Sequence, residues 1–173
     1  MIKSIKYGVD LINDVSGFNY DSQSLPKIKK YNISKVLHHM KGTPNTMQKN
    51  PKYKNVLLDI YDFFEKGIKR IDNQKIILDP GIGFGKNLKH NLTLISKISL
   101  FHSLGLPILI GTSRKRFISQ ISGINDSRER IGGTVASVLF LLLQGVQIFR
   151  VHNVNEVKQG ILVFSKILSY LKN

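Results

Sequence analysis

The sequence predicts an α/β fold built on a parallel β-sheet. Short apolar runs rich in β-branched residues alternate with longer amphipathic segments along the 173 residues, which is the pattern of repeated strand–helix units. The predicted strands are continuously apolar, as in sheets that are covered on both faces. The length is typical of one domain, and a hydrophobic content of 42% is sufficient for a core, so we predict a single domain over residues 1–173.

The predicted elements follow one another regularly along the chain. Strands are predicted at residues 9–12, 35–40, 75–78, 107–110 and 147–151. Helices are predicted at residues 2–7, 25–31, 52–70, 88–104, 114–122, 126–143 and 155–171. Apolar residues recur at helical spacing through 52–70, and Asp126 with Glu129 has the spacing of a capping box before the sixth helix.

The composition excludes several classes of protein. With no cysteine, the chain has no disulfide framework, no thiolate zinc site and no cysteine nucleophile, which fits a reducing cytoplasm. The longest apolar stretch, residues 135–143, is far shorter than the roughly 18–20 residues of a membrane span. The N-terminus has no apolar signal-peptide region. We therefore expect a cytoplasmic protein without a membrane partner.

The net charge of +15 has three interpretations. It can reflect a compositional bias towards lysine, isoleucine and asparagine, attraction of a phosphate-bearing substrate, or binding of nucleic acid. The basic residues are scattered along the chain, and they are not interleaved with aromatic residues. Nucleic acid is therefore disfavoured as a partner.

Polar residues or glycine follow each predicted strand. They are Asn13 and Asp14, His38 and His39, Asp79, Gly111 to Ser113, and Arg150 to His152. The carboxyl ends of parallel strands form one rim, where the active sites of such folds lie. We expect these side chains to face a shared pocket.

The most distinctive stretch, residues 79–86, reads Asp-Pro-Gly-Ile-Gly-Phe-Gly-Lys. It is not a Walker A loop, because the glycine-to-lysine spacing is one residue short and Asn87 replaces Ser or Thr. It is not a G-x-G-x-x-G motif, because Lys86 occupies the third glycine position. The glycines are equally consistent with a plain strand-to-helix turn. Asp79, at the end of an apolar strand, needs a partner, and its carboxylate suits the paired donors of a 2-amino-pyrimidinone edge.

Cationic residues cluster at two other predicted strand ends. Arg114, Lys115 and Arg116 lie in the predicted first turn of a helix, where cations are disfavoured, so an anionic ligand is an alternative to a solvated face. Arg150 and His152 lie two apart on a predicted strand, point to the same side and suit a phosphate clamp. The alternative for this pair is a core histidine and a surface arginine.

The remaining histidines and serines do not form a known catalytic motif. His38 and His39 are expected on opposite faces of their strand, so at most one reaches the pocket. Zinc is disfavoured, because there is no H-E-x-x-H motif and His90 and His102 fall on a predicted helix away from the strand ends. A catalytic serine triad is unsupported, because there is no G-x-S-x-G turn.

Taken together, these stretches resemble dihydropteroate synthases. Residues 11–17 resemble the family's "INDVSG" strand, 37–48 its "MHMQGTPxTMQ" loop, and 79–86 its "DPGIGFGK" motif without a change. Residues 111–118, 130–136 and 148–154 resemble "GxSRKxFI", "RxxGTxA" and "xRVHDV" in the same order. The family fold is a (β/α)8 TIM barrel. The resemblance therefore implies an incomplete barrel of about five parallel strands, family strands four to eight, in one pterin-binding domain.

The family reaction joins 6-hydroxymethyl-7,8-dihydropterin diphosphate to p-aminobenzoate, giving dihydropteroate and pyrophosphate in folate biosynthesis. The resemblance implies that Asn13 and Asp79 hydrogen-bond the pterin ring. It implies that Met40 and Phe84 line the pterin slot and that Gly111 contacts the pterin through its backbone.

The resemblance further implies three catalytic residues, Lys115, Arg150 and His152. Lys115 would reach the pterin and stack over the aminobenzoate site, and Ser113 would help to hold p-aminobenzoate. Arg150 and His152 would hold the diphosphate. The implied partners are pterin diphosphate and p-aminobenzoate, with a homodimer or an N-terminal fragment as a protein partner.

The sequence departs from the family pattern in three ways. A complete barrel takes about 250 residues, and the motifs of family strands one to three do not occur here. The family cofactor is Mg²⁺, and its asparagine ligand belongs to the first-strand loop, so no metal ligand is predicted in this chain. Lys41 replaces glutamine and Asn153 replaces aspartate. Met1 falls inside a predicted helix, so an internal start, a split gene or a decayed gene is expected.

Three alternatives to an active synthase remain. The chain could be a non-catalytic remnant or a split-enzyme subunit that binds pterin or completes a barrel with an N-terminal fragment. A methyltetrahydrofolate methyltransferase domain is disfavoured by the Ser-Arg-Lys-Arg block at residues 113–116. A basic nucleic-acid binder is disfavoured by the scattered charge.

Overall fold

Five parallel strands form the framework of the fold. They are β1 (Leu11–Asp14), β2 (Ser34–His38), β3 (Ile76–Asp79), β4 (Leu109–Ile110) and β5 (Ile148–Phe149) in a computed structural model that describes residues 1–71 and 75–171. β2 pairs with β1 and β3, and β4 pairs with β5, while a bridge between Leu78 and Ile108 links the two sheets. The predicted parallel α/β fold is confirmed. Over the described residues the sheet is open, because β1 and β5 do not pair with each other.

Helices connect the strands and cover one side of the sheet. In the described part of the chain they are α1 (Ile2–Lys6), α2 (Ser24–Lys29), α3 (Val56–Ile71), α4 (Leu88–Ser96), α5 (Arg116–Ser122), α6 (Ile131–Leu143) and α7 (Val154–Tyr170). Two 3₁₀ segments, Ile98–Leu104 and Ser127–Glu129, precede β4 and α6. Within residues 1–71 and 75–171, no helix combines the length and the apolar character needed to cross a bilayer.

Several predicted boundaries are shifted, and three of the shifts have a clear local cause. The first strand begins at Leu11, because Gly8 has a left-handed φ of 82° and turns the chain after α1. The predicted helix 88–104 divides where Lys97 leaves helical geometry with a φ of −130°. The carboxylate of Asp126 accepts the N–H of Arg128 at 2.9 Å, so it caps the 3₁₀ segment, and α6 begins only at Ile131.

The sheet separates a large core from a small one. On the helix side, alternate strand residues such as Leu37 and Leu78 pack with Phe64 of α3 and Phe101 in the main hydrophobic cluster. The opposite side carries a second cluster of Val36, Ile77 and Leu109, with Ile148 packed against it. This second side is the inner face of the incomplete barrel.

The inner face leads directly to the carboxyl ends of the strands. Because side chains alternate along a strand, residues two positions beyond the inner cluster lie on the same face. These residues are His38, Asp79, Gly111 and Arg150, and Asn13 joins them through its register with Val36. The apolar cluster therefore forms the floor of the candidate site.

Candidate functional site

Asp79 lies at the centre of the strand ends and is only 2% exposed. Its Oδ1 accepts the backbone N–H of Gly81 at 2.8 Å. Its Oδ2 lies 3.9 Å from Nε2 of His38, the register partner of Asp79 on β2, which is beyond hydrogen-bonding distance. The carboxylate is thus oriented by one internal bond, and its second oxygen faces the neighbouring strand.

Two buried polar atoms on the same face of the sheet as Asp79 lack hydrogen-bond partners within the described residues. They are Oδ1 of Asn13 and Nε2 of His38. An unsatisfied buried polar atom costs about 1–3 kcal/mol, so native proteins keep few of them. Their position at the carboxyl ends of β1 and β2 is typical of a ligand-binding site.

The sequence predicts that at most one of His38 and His39 reaches the pocket without deciding which, and the structure places His38 there. Its Nδ1 lies 2.9 Å from the carbonyl oxygen of Val15, so Nδ1 carries the hydrogen and donates it. Burial lowers the pKa of His38, with Asp79 opposing the shift, so the ring is neutral at pH 7 and Nε2 is an acceptor. The ring meets Phe84 edge-on at 4.6 Å between centroids.

His39 lies on the other side of its strand, as the alternation predicts. Its ring packs edge-on against Phe63 of α3 at 4.9 Å. The signal that could have identified His38 is its two-residue spacing from the inner-face residue Val36. The spacing alone does not show that His38 lies next to Asp79; this follows only from the register that pairs the two residues on β2 and β3.

The glycines of residues 79–86 are required by a tight turn. Gly81, Gly83 and Gly85 have left-handed φ values of 67°, 83° and 65°. A Cβ at Gly81 would overlap the carbonyl oxygen of His39, and one at Gly85 would overlap that of Lys41. The turn therefore packs directly on the segment that follows β2, and this close approach places Phe84 at the site.

Lys115 lies above the ring of Phe84. Its Nζ is 4.1 Å from the ring centroid, which is a cation–π geometry. Burial lowers the pKa of Lys115 to about 8, the charge of Arg150 acts in the same direction, and Asp79 opposes both. The structure thus brings Asp79, Phe84, Lys115 and Arg150 within electrostatic reach of one another.

The three cations of residues 114–116 do not share the first helical turn, so that prediction is wrong. Arg114 has a left-handed φ of 59°, Lys115 is the N-cap, and α5 begins at Arg116. A residue far along the chain stabilises this turn, because the Arg114 guanidinium donates to Oδ1 of Asn153 at 2.8 and 3.2 Å. Arg130 also donates to the Arg114 carbonyl at 2.9 Å. This turn directs Lys115 towards Phe84.

Arg150 and His152 follow β5 instead of lying in it, which corrects the predicted strand 147–151. The guanidinium of Arg150 lies over Gly111, where an added Cβ would be 3.5 Å from Nη2. Nδ1 of His152 lies 2.9 Å from Oγ of Ser113, which also accepts the His152 backbone N–H at 3.2 Å. Both Arg150 and His152 are exposed, whereas Ser113 is buried.

Met40 lines a different space from the group around Asp79. This cavity of about 600 Å³ lies between the segments that follow β1 and β2, and its lining includes Asp14, Val15 and Pro44. Asp79 and Phe84 do not line it. The predicted site residues are thus divided between the strand-end group and this neighbouring cavity.

The described residues do not fit a magnesium site by themselves. No three His, Asp or Glu side chains within residues 1–71 and 75–171 lie close enough together to hold a metal ion.

Comparison with known proteins identifies relatives of the whole chain. The family model described as "Pterin binding enzyme" matches residues 1–152. The dihydropteroate synthase of Escherichia coli K12 is 37% identical over 176 residues, an alignment that covers 99% of this chain and 62% of that protein. The chain therefore spans about three fifths of the length of this relative.

Solved structures that match the fold of this chain are also dihydropteroate synthases. The fold matches dihydropteroate synthase from Thermus thermophilus in complex with 6HMPPP, with a TM-score of 0.90, 34% identity and coverage of 96% of this chain and 67% of that one. It matches the same protein in complex with 4-aminobenzoate with a TM-score of 0.89, 34% identity and coverage of 95% and 65%. With five parallel strands, an inner rim around Asp79 and a family match over residues 1–152, this chain belongs to the pterin-binding enzymes.

Proposed function

We propose that this chain forms the pterin- and diphosphate-binding part of a dihydropteroate synthase. The reaction would join 6-hydroxymethyl-7,8-dihydropterin diphosphate to p-aminobenzoate, releasing pyrophosphate, in folate biosynthesis. One observation carries the proposal: the buried Asp79 carboxylate faces the unpartnered Nε2 of His38, on the sheet face that also carries the unpartnered Oδ1 of Asn13, and it lies within electrostatic reach of Lys115 above Phe84. The Thermus relative, solved with 6HMPPP and with 4-aminobenzoate, supports it.

Asp79 would recognise the amino-pyrimidinone edge of the pterin. That edge presents two N–H donors side by side, and a carboxylate can accept both. Gly81 already bonds one oxygen of Asp79 and so orients the carboxylate before a ligand arrives. Asn13 would bond the same ring through Oδ1, and the Gly111 backbone would contact it. The ring of Phe84 would form one wall of the slot, whereas Met40 would border the slot from the neighbouring cavity.

The cations would act on the departing diphosphate. As the C–O bond to the pterin methylene breaks, its electron pair leaves with pyrophosphate, and the electron-rich pterin bears the developing positive charge. The amine of p-aminobenzoate then forms the new C–N bond and loses a proton. The Arg150 guanidinium and a hydrogen bond from the His152 ring would stabilise the growing negative charge, which is how fixed charges and donors lower the energy of a transition state.

Lys115 and Ser113 would complete the reacting end of the site. With a pKa of about 8, the Lys115 amine is mostly protonated at pH 7 and can bond the pterin while flanking the aminobenzoate position. Ser113 would act on this region through His152, because its hydroxyl already bonds both Nδ1 and the backbone N–H of that residue.

The proposal extends to cofactor, location and partners. Mg²⁺ would serve the assembled enzyme through a ligand supplied with family strands one to three, and the enzyme would be cytoplasmic. The open edge of β1 would pair with those strands, carried by an N-terminal fragment. A homodimer is also proposed, and the exposed apolar side chains of Val163 and Ile167 on α7 offer a surface for it.

Incorporation of labelled p-aminobenzoate tests the proposal. The chain alone should form little or no dihydropteroate, because the diphosphate and the amine are incompletely positioned, and positioning supplies several kcal/mol of barrier lowering. Adding a separately expressed fragment with strands one to three, in the presence of magnesium, should restore turnover. Pterin binding without turnover in that mixture would favour the non-catalytic alternative, and absence of pterin binding would overturn the proposal.

A further inference from the structure

Lys86 ends the glycine turn and has no part in the proposed chemistry. Its side chain is 3% exposed. Burial lowers the pKa of its amine to about 7, although the charge of Asp79 opposes this shift. Burying an ionisable amine is unfavourable unless its hydrogens are hydrogen-bonded. The contacts of Nζ therefore explain how the Lys86 amine can be buried.

All the hydrogens of the Lys86 ammonium have acceptors. Nζ lies 2.9 Å from the carbonyl oxygen of Phe84, 3.0 Å from Nδ1 of His39 and 3.5 Å from the carbonyl oxygen of His39. His39 is itself anchored, because its backbone N–H donates to the carbonyl of Asp79 at 2.9 Å. Lys86 therefore ties the Phe84 backbone to the end of β2.

The bond to Phe84 is the central member of a series. Three consecutive carbonyls of the turn each accept a hydrogen bond from a side chain. Gln48 donates to Gly83 at 2.7 Å, Lys86 donates to Phe84, and the Tyr53 hydroxyl donates to Gly85 at 2.8 Å. Gln48 and Tyr53 hold the two flanking residues, and Lys86 holds the residue whose ring enters the site.

The ring of Phe84 connects the candidate site residues. It contacts His38 edge-on and lies under the ammonium of Lys115. A ring that shifted would therefore alter both the wall of the slot and the cation above it.

We propose that Lys86 is a positioning residue that fixes the Phe84 ring through the Phe84 carbonyl and His39. The consequence for pterin binding rests on the proposed function, whereas the effect on the ring does not. The two consequences can therefore be measured separately.

Tryptophan fluorescence tests the effect on the ring. The chain has no tryptophan, so Phe84→Trp introduces a single reporter. In that background, Lys86→Met removes the donors at similar side-chain length. We expect a red-shifted emission and stronger quenching by acrylamide. Lys89→Met, at an exposed position three residues further on, is the matched control and should leave the emission unchanged.

Equilibrium dialysis with 6-hydroxymethylpterin tests the effect on binding in the chain with Phe84 intact. Lys86→Met should weaken binding about tenfold, because part of the free energy of binding is then used to hold the Phe84 ring in place. Lys89→Met should bind as the parent does. If the parent itself does not bind the pterin, the proposed function fails, and the emission experiment still decides the role of Lys86.

Two outcomes would overturn the positioning role. One is identical emission and quenching in the Lys86→Met and Lys89→Met chains. The other concerns folding and arises only if Lys86→Met does not fold. In that case Lys86→Arg, which keeps donors for the carbonyls, is expected to fold with parent-like emission. Failure of both variants to fold would make Lys86 a determinant of the fold and not of the ring position.

Discussion

At the scale of single residues, Asp79 is the most informative group in the site. It is buried at the end of an apolar strand, one of its oxygens is oriented by Gly81, and the other faces a neutral histidine. An internal structural role would place donors on both oxygens. The arrangement is instead that of an acceptor prepared for a ligand.

Asp79→Ala should weaken binding of 6-hydroxymethylpterin by about 1–3 kcal/mol, because it removes buried hydrogen bonds to a charged acceptor. Equilibrium dialysis measures this loss. Asp62→Ala, at an exposed position on α3, is the control and should bind as the parent does. Equal affinity in the parent and Asp79→Ala would remove Asp79 from the binding site.

Arg150→Ala and His152→Ala should reduce the rate of product formation more than they reduce pterin affinity. Both side chains would contact the group whose negative charge grows as the C–O bond breaks. Labelled p-aminobenzoate incorporation by the chain assembled with strands one to three gives the rate, and dialysis gives the affinity. Lys158→Ala, an exposed cation on α7, should change neither. Parallel losses of rate and affinity would argue against a role confined to the leaving group.

At the scale of elements, the glycine turn and the turn at Arg114 shape the site. The glycine turn places Phe84, and the turn at Arg114 places the adjacent Lys115. As a result, Nζ of Lys115 lies 4.1 Å from the centroid of the Phe84 ring. Both turns use left-handed backbone and are held by side chains from elsewhere in the chain. The site is therefore sensitive to changes that leave every ligand-contacting side chain intact.

Gly81→Ala should lower the free energy of unfolding by more than Gly123→Ala does. Both glycines have left-handed φ values, 67° and 75°, so both substitutions carry a backbone cost of about 1–2 kcal/mol. Only at Gly81 does the added Cβ overlap a neighbour, the His39 carbonyl, whereas the space around Gly123 is open. Urea unfolding of the two variants measures the difference. Equal destabilisation would mean that the segment after β2 shifts to accommodate the added Cβ without a measurable loss of stability.

Lys86 should make stability depend on pH above neutrality. Its pKa is about 7 in the folded chain and near 10.5 when unfolded, so the unfolded chain binds more protons between these values. The free energy of unfolding should therefore rise from about pH 7 to 10 in the parent relative to Lys86→Met, and the difference should stay constant below pH 7. Denaturant titrations across this range provide the test. If the free energies of unfolding of the parent and Lys86→Met change in parallel with pH throughout, the pKa of Lys86 is not lowered in the folded chain.

At the scale of the whole molecule, the open sheet is the dominant feature. β1 and β5 each present an edge that is unpaired within the described residues. Apolar side chains of α6 and α7, including Leu143, Val163 and Ile167, are also exposed. Open strand edges and exposed apolar surface both promote association with other chains.

The 173-residue chain on its own should therefore self-associate or be poorly soluble. Size-exclusion chromatography with light scattering should show species larger than 19.6 kDa. Adding a fragment with strands one to three should reduce this association by covering the β1 edge. A monodisperse monomer with a cooperative thermal transition would contradict the expectation.

Local patterns in the sequence were sufficient for the class of fold and for much of the candidate site. Apolar runs alternating with amphipathic segments predicted five parallel strands, and all five occur, with boundaries shifted by one or two residues. The polar residues after these runs predicted a rim that includes Asp79 and Arg150. These features could be predicted because strand and helix periodicities are properties of neighbouring residues.

The tertiary structure alone decided what the sequence could not. Arg114 leaves the predicted helix because Asn153, 39 residues away, binds its guanidinium. His38 faces Asp79 only through the register of β2 and β3, and Lys86 is buried only because His39 and Phe84 meet around it. Each depends on contacts between residues far apart in the chain, which no local pattern records. The sequence by itself therefore determined which residues end the strands, and tertiary packing determined which of them face one another.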